Sequence, residues 1–70
     1  MKRYEMTGGD HGNYTIFPEG KTAHSFVAHL RRNQVGGGYT LTHKDGRSIE
    51  VFHMPTYDQA NALMETLEKA

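Results

Sequence analysis

From Tyr39 to Val51 apolar and polar positions alternate one by one, interrupted only by Lys44-Asp45-Gly46. A period of two is that of a β-strand with one face buried, so the stretch reads as a hairpin. Its register follows from which side chains must meet. A two-residue turn at Asp45-Gly46 would set Leu41 against Glu50 and Tyr39 against Phe52, mixing apolar with charged. A three-residue loop, Lys44-Asp45-Gly46, instead pairs Leu41 with Ile49 and Tyr39 with Val51. Such a loop is a type I turn closed by a one-residue bulge, which ends on a residue tolerant of positive φ, here Gly46. One face then carries Tyr39, Leu41, Ile49 and Val51. The other carries Thr40, Thr42, Ser48, Glu50, Phe52 and Met54.

The same alternation recurs near the start. Residues 2–7 put Tyr4 and Met6 on one face, and residues 13–17 put Tyr14 and Ile16 on one face and Thr15 and Phe17 on the other. Gly8-Gly9-Asp10-His11-Gly12 between them is a loop by backbone permissiveness, so a first hairpin is expected, matching Tyr4 to Ile16 and Met6 to Tyr14. Pro18 and Gly20 end it. Residues 22–34 carry two periods at once. Ala23, Phe26, Val27 and Leu30 fall on a helical arc of about 100°, with Thr22 as N-cap and Gly36 as stop. His24, Phe26, Ala28 and Leu30 also alternate as a strand would. Length and two alanines favour the helix. The last segment is helical on firmer grounds: Thr56-Tyr57-Asp58-Gln59 fits a capping box, and Tyr57, Ala60, Leu63, Met64 and Leu67 line one face.

The expected fold class is therefore α+β, in the order ββαββα. Residues 1–70 would form a single domain with a four-stranded antiparallel sheet and two helices on one face. The alternative, if residues 22–30 are extended, is a five-stranded antiparallel meander with one C-terminal helix. The expected core is Tyr4, Met6, Tyr14, Ile16, Phe26, Val27, Leu30, Tyr39, Leu41, Ile49, Val51, Leu63, Met64 and Leu67. At this length a single core barely suffices without staples, so a homodimer is among the expected states.

Composition narrows the chemistry. No cysteine is present, which excludes disulfides, thiolate metal sites and thiol catalysis. The first ten residues hold no apolar run, so neither a signal peptide nor a membrane span is expected, and the default setting is cytoplasmic. Eight Lys and Arg balance eight Asp and Glu, yet the charge is bipolar. Residues 21–49 hold Lys21, Arg31, Arg32, Lys44 and Arg47 against Asp45, while residues 50–70 hold Glu50, Asp58, Glu65 and Glu68 against Lys69.

Five histidines invite a metal reading, but their spacing opposes it. His24 and His29 would lie roughly 140° apart on a helix, and the hairpin register sets His43 opposite Arg47 and His53 opposite Gly37. They read as solvated surface histidines. Gly20-Lys21-Thr22 lacks the upstream glycine of a phosphate loop, Thr15 standing in its place. Ser25 and Ser48 carry no nucleophile signature. No catalytic residue, metal ligand or cofactor is expected.

Two binding surfaces remain. Phe17, Phe52 and Met54, beside Glu50, lie on the sheet face away from the expected helices, and an uncovered apolar patch marks a partner surface. The favoured function is thus a non-catalytic protein-binding module that regulates or inhibits a larger protein or complex, or pairs with itself. The alternative is nucleic-acid binding through Lys21, Arg31 and Arg32 on a basic helix face with Lys44 and Arg47 at the hairpin tip.

Overall fold

The computed structural model describes residues 3–69; Lys2, which the alternation places at the start of the first strand, lies outside the described residues. In chain order the elements are β1 (Tyr4–Gly8), a 3-10 turn (Asp10–Gly12), β2 (Asn13–Pro18), a second 3-10 turn (Ala23–Ser25), β3 (Ala28–Arg32), β4 (Tyr39–His43), β5 (Ser48–Val51) and α1 (Tyr57–Lys69). Consecutive strands are antiparallel neighbours in the order β1-β2-β3-β4-β5. The fold is a small α+β meander: a five-stranded antiparallel sheet with one C-terminal helix.

This overturns the four-stranded, two-helix arrangement and matches the alternative. The decisive segment, residues 22–34, is a short 3-10 turn followed by the central strand β3 rather than a helix. β3 pairs on both sides, Ala28 and Leu30 lying beside Ile16 and Tyr14 of β2 and beside His43 and Leu41 of β4. A helix there would strip β2 and β4 of a hydrogen-bonding neighbour. That non-local demand outweighs the weak local propensity of two alanines.

The β4–β5 hairpin has the expected register, Tyr39 opposite Val51 and Leu41 opposite Ile49. Its loop closes as a bulged turn: Gly46 N donates to His43 O at 2.9 Å, His43 N donates to Arg47 O at 2.7 Å, and Gly46 sits at φ 100°. The first hairpin is displaced by two residues from expectation, Tyr4 meeting Pro18 and Met6 meeting Ile16. The Asp10–Gly12 turn and the Gly9 N to Asn13 O bond (2.8 Å) move its midpoint one residue onward. A shift of two leaves every side chain on its expected face.

The core lies between one sheet face and α1. Tyr4, Ile16, Ala28, Leu30 and Leu41 are buried there, with Met6, Tyr14, Tyr39 and Ile49 packed around them. The helix lays Ala60, Asn61, Met64 and Leu67 on this face. Its N-terminus is the expected capping box: Thr56 N donates to Gln59 Oε1 at 2.9 Å, and Gln59 N donates to Thr56 Oγ1 at 3.2 Å. The buried arc is rotated from expectation, with Asn61 inside and Tyr57 exposed. Phe26, expected in the core, is also exposed, its ring 4.7 Å from that of His29. Phe26 caps the Ala23–Ser25 turn and precedes β3, so the alternation of the strand does not reach it, and its neighbour Val27 is buried instead.

Candidate docking surface

β5 stops at Val51, and the chain bends before Met54-Pro55 leads into α1. The strand therefore ends one residue before Phe52. Alternation would have carried Phe52 and Met54 onto the open sheet face, but it has no pleat to act on past Val51. Phe52 is instead left 94% exposed at the corner of the molecule, while Met54 turns inward and packs against the core. Glu50 stays on the open face, exposed, opposite Thr40. Phe17 is only 9% exposed, on the strand against which the Ala23–Ser25 turn packs. Phe17 and Phe52 are also separated by two whole strands, β3 and β4. The structure thus keeps Phe52 and Glu50 together and removes Phe17 and Met54 from the surface they were expected to share.

Val35, 90% exposed, joins Phe52 from the other side. It sits in the β3–β4 loop, which Asn33 stitches: its N–H donates to Gly38 O at 3.0 Å, its Nδ2 to Gly37 O at 3.3 Å, and its Oδ1 accepts from Thr40 Oγ1 at 2.7 Å. Gly38 lies against the end of β5, where a Cβ would come within 2.7 Å of Val51 O at a φ of 76°. The loop can approach β5 this closely only with glycine there. A hollow of about 320 Å³ lies between loop and strand, lined by Val35, Gly38, Glu50, Val51 and Phe52 among others. On the far side of Phe52 a second, more apolar hollow of about 450 Å³ runs between β5 and the outer side of α1, lined by Val51, Phe52, His53, Gln59, Ala62 and Leu63 with Glu50. Phe52 stands as a ridge between them.

The opposite edge of the sheet is built differently. Asn61 of α1, 8% exposed, reaches β1 and takes both outward-facing backbone groups of Tyr4: Tyr4 N donates to Asn61 Oδ1 at 2.6 Å, and Asn61 Nδ2 donates to Tyr4 O at 3.2 Å. The same Nδ2 donates to Tyr57 O at 3.0 Å, which holds the amide in place. Arg3 adds an ion pair to Asp58 (3.1 Å) and lies 5.1 Å from the Tyr57 ring centre. A side-chain amide here stands in for a sixth strand.

A polar cluster fastens the other end of the helix. Tyr4 donates its hydroxyl to Glu68, whose second carboxylate oxygen lies 3.4 Å from His43 Nε2. Asp45 N donates to His43 Nδ1 at 3.2 Å, and Arg47 clasps Asp45 at 2.7 and 2.9 Å while also donating to Leu67 O at the helix C-terminus. The Arg47 side chain and backbone N–H hold the Asp45 carboxyl down to about 2. Burial, then the hydrogen bond to Glu68, pushes the Tyr4 phenol above its ordinary range. His43 is 7% exposed, not the solvated histidine expected. The signal was present: the alternation that turns Leu41 inward turns His43 inward too. Asn61 was likewise detectable, one turn after Tyr57 and adjacent to Ala60.

The basic residues do not converge. Arg31 and Arg32 alternate on β3 and so point to opposite faces of the sheet. Arg32 lines a polar cleft of about 510 Å³ with His11, Asn13, Asn33, Gln34 and Gly37 at one end of the sheet. Lys21 lies in the β2–β3 connection, Lys44 at the β4–β5 tip, and Arg47 is committed to Asp45 and Leu67. Among the described residues no three His, Asp or Glu side chains come together as a metal-binding group, and no helix is long and apolar enough to cross a membrane. Comparison with protein-family models, with curated proteins and with solved structures finds no match.

Proposed function

We propose that this protein is a non-catalytic docking module, working in the cytoplasm, that regulates or inhibits a larger protein by binding it through the corner formed by Val35, Glu50 and Phe52. The observation that carries this reading is the exposure of Phe52, a whole aromatic side chain held in water between two hollows. Leaving such a ring wet forgoes roughly 1.5–3 kcal/mol of burial, which a partner surface recovers. Aromatic anchors of this kind dominate binding energy at protein interfaces. The polar cluster supports a structural rather than a chemical role for His43, because Nε2 is engaged by Glu68 of α1 and Nδ1 by the Asp45 N–H of the hairpin loop.

Phe52→Asp and Val35→Asp test this. Both side chains are exposed, so each variant should keep the wild-type melting curve to within about 0.5 kcal/mol. Each should lose the protein that co-purifies stoichiometrically with the wild-type chain from its own cells. Retention of that protein by both variants ends the reading, as does equal loss in an Arg31→Asp control.

A further inference from the structure

The β5 edge has the geometry of a strand acceptor. In an antiparallel ladder alternate pairs exchange hydrogen bonds, and the His43 N to Arg47 O bond sets the phase between β4 and β5. Ile49 and Val51 therefore direct their backbone groups at β4. Ser48 and Glu50 direct theirs outward, away from the sheet. No sixth strand and no side-chain amide covers this edge among the described residues, in contrast to β1.

Charge decides what fits. The Glu50 carboxylate is exposed on the open face and makes no hydrogen bond or ion pair among the described residues, whereas Asp58 and Glu65 of α1 are paired with Arg3 and Lys69. In the two-fold registers that use the outward groups of Glu50, its carboxylate meets its own copy either directly across or one diagonal away. Those separations are about 5 and 7–8 Å, so self-pairing is opposed and a basic residue opposite Glu50 is favoured. Successive side chains of an added strand point to opposite faces. The neighbours of that basic residue turn to the helix side, where the hollow of about 450 Å³ offers Leu63, Ala62 and Phe52.

We propose that β5 accepts an extended segment of another protein by strand addition, and that the segment reads apolar–basic–apolar with the basic residue opposite Glu50. This rests on the docking reading above and specifies its partner. Backbone pairing would supply affinity, and the Glu50 contact and the hollow would supply selectivity.

The experiment uses the full chain, labelled with 15N, titrated with three capped peptides. The first reads threonine, isoleucine, lysine, isoleucine, threonine, with serine at both ends; the second has glutamate in place of lysine, and the third proline. The lysine peptide should shift the Ser48 and Glu50 amides and slow their hydrogen exchange. The glutamate peptide should bind about tenfold more weakly, and Glu50→Lys should invert that order. The proline peptide, lacking the central N–H, should not bind. Unmoved Ser48 and Glu50 amides, or equal binding of the lysine and glutamate peptides, overturn the proposal. Concentration-dependent protection of these amides without peptide overturns it too, and makes a second copy the occupant. If a partner is lost in Phe52→Asp while no peptide moves these amides, the docking corner stands and strand addition falls.

Discussion

The two edges of the sheet face the same problem and meet it in opposite ways. An outer strand presents unpaired N–H and C=O groups that other chains can pair with. At β1 the helix supplies Asn61, whose amide occupies the N–H and C=O of Tyr4 and is itself pinned to Tyr57. At β5 the safeguard among the described residues is an outward carboxylate, Glu50, beside an exposed ring. One edge is sealed by geometry and the other guarded by charge. At Tyr4 the amide leaves neither backbone group open to a partner. Charge disfavours an acidic partner and leaves a basic one free to pair, and the proposed strand addition at β5 rests on that contrast.

That contrast is broken most severely at the sealed edge. Asn61→Ala leaves two backbone groups of a buried residue without partners, at an expected cost of about 2–3 kcal/mol, seen as a fall in melting temperature of roughly 10 °C or more. The same variant should gain concentration-dependent association through β1, measurable by sedimentation. A smaller effect is expected where the β3–β4 loop meets β5. Gly38→Ala forces a Cβ toward Val51 O at a positive φ and should cost roughly 1–2 kcal/mol in denaturant titration, with the largest amide shifts at Val51 and Phe52.

The Tyr4 phenol gives a pH signature of the sealed side. Its folded pKa is raised, so its contribution is intact below the unfolded value near 10 and is lost as pH rises through the folded one. Wild-type melting temperature should fall above pH 10 more steeply than that of Tyr4→Phe, which should cost about 1 kcal/mol at neutral pH. Asp45 works in the opposite sense. Its depressed value means that its contribution is present above about pH 4 and is lost as pH falls through about 2, so Asp45→Asn should flatten the acid limb of the stability profile. Smallest of all is the open edge: Glu50→Gln should leave the melting curve unchanged within about 0.5 kcal/mol.

Legibility in the sequence follows the range of the forces involved. The β4–β5 register was readable because Gly46 and the apolar pairs Leu41–Ile49 and Tyr39–Val51 lie within one continuous hairpin stretch, Tyr39 to Val51. The capping box at Thr56 and Gln59 was readable for the same reason. Residues 22–34 were not, because Phe26 and Leu30 satisfy a helical and a strand period equally, and the choice is made by β2 and β4 needing a neighbour. At the Val35–Phe52 corner, alternation placed Glu50 on the open face, and it singled out Phe52 only by running one residue past the end of β5. The burial of Phe17 and Met54 could not be read, since it depends on where the chain folds back over β2 and where β5 stops. Val35 stood outside every periodic segment and carried no pattern to notice.

Because an amide on the helix does the work of a neighbouring strand, α1 serves as a stopper as well as half of the core. Any excursion that lifts it would bare a second sticky border while the first is still available. A chain so opened has two complementary rims, and copies could add end to end into a ribbon without limit. On that account, loosening the hold of Asn61 or Glu68 on α1 would lower the concentration and temperature at which copies begin to add.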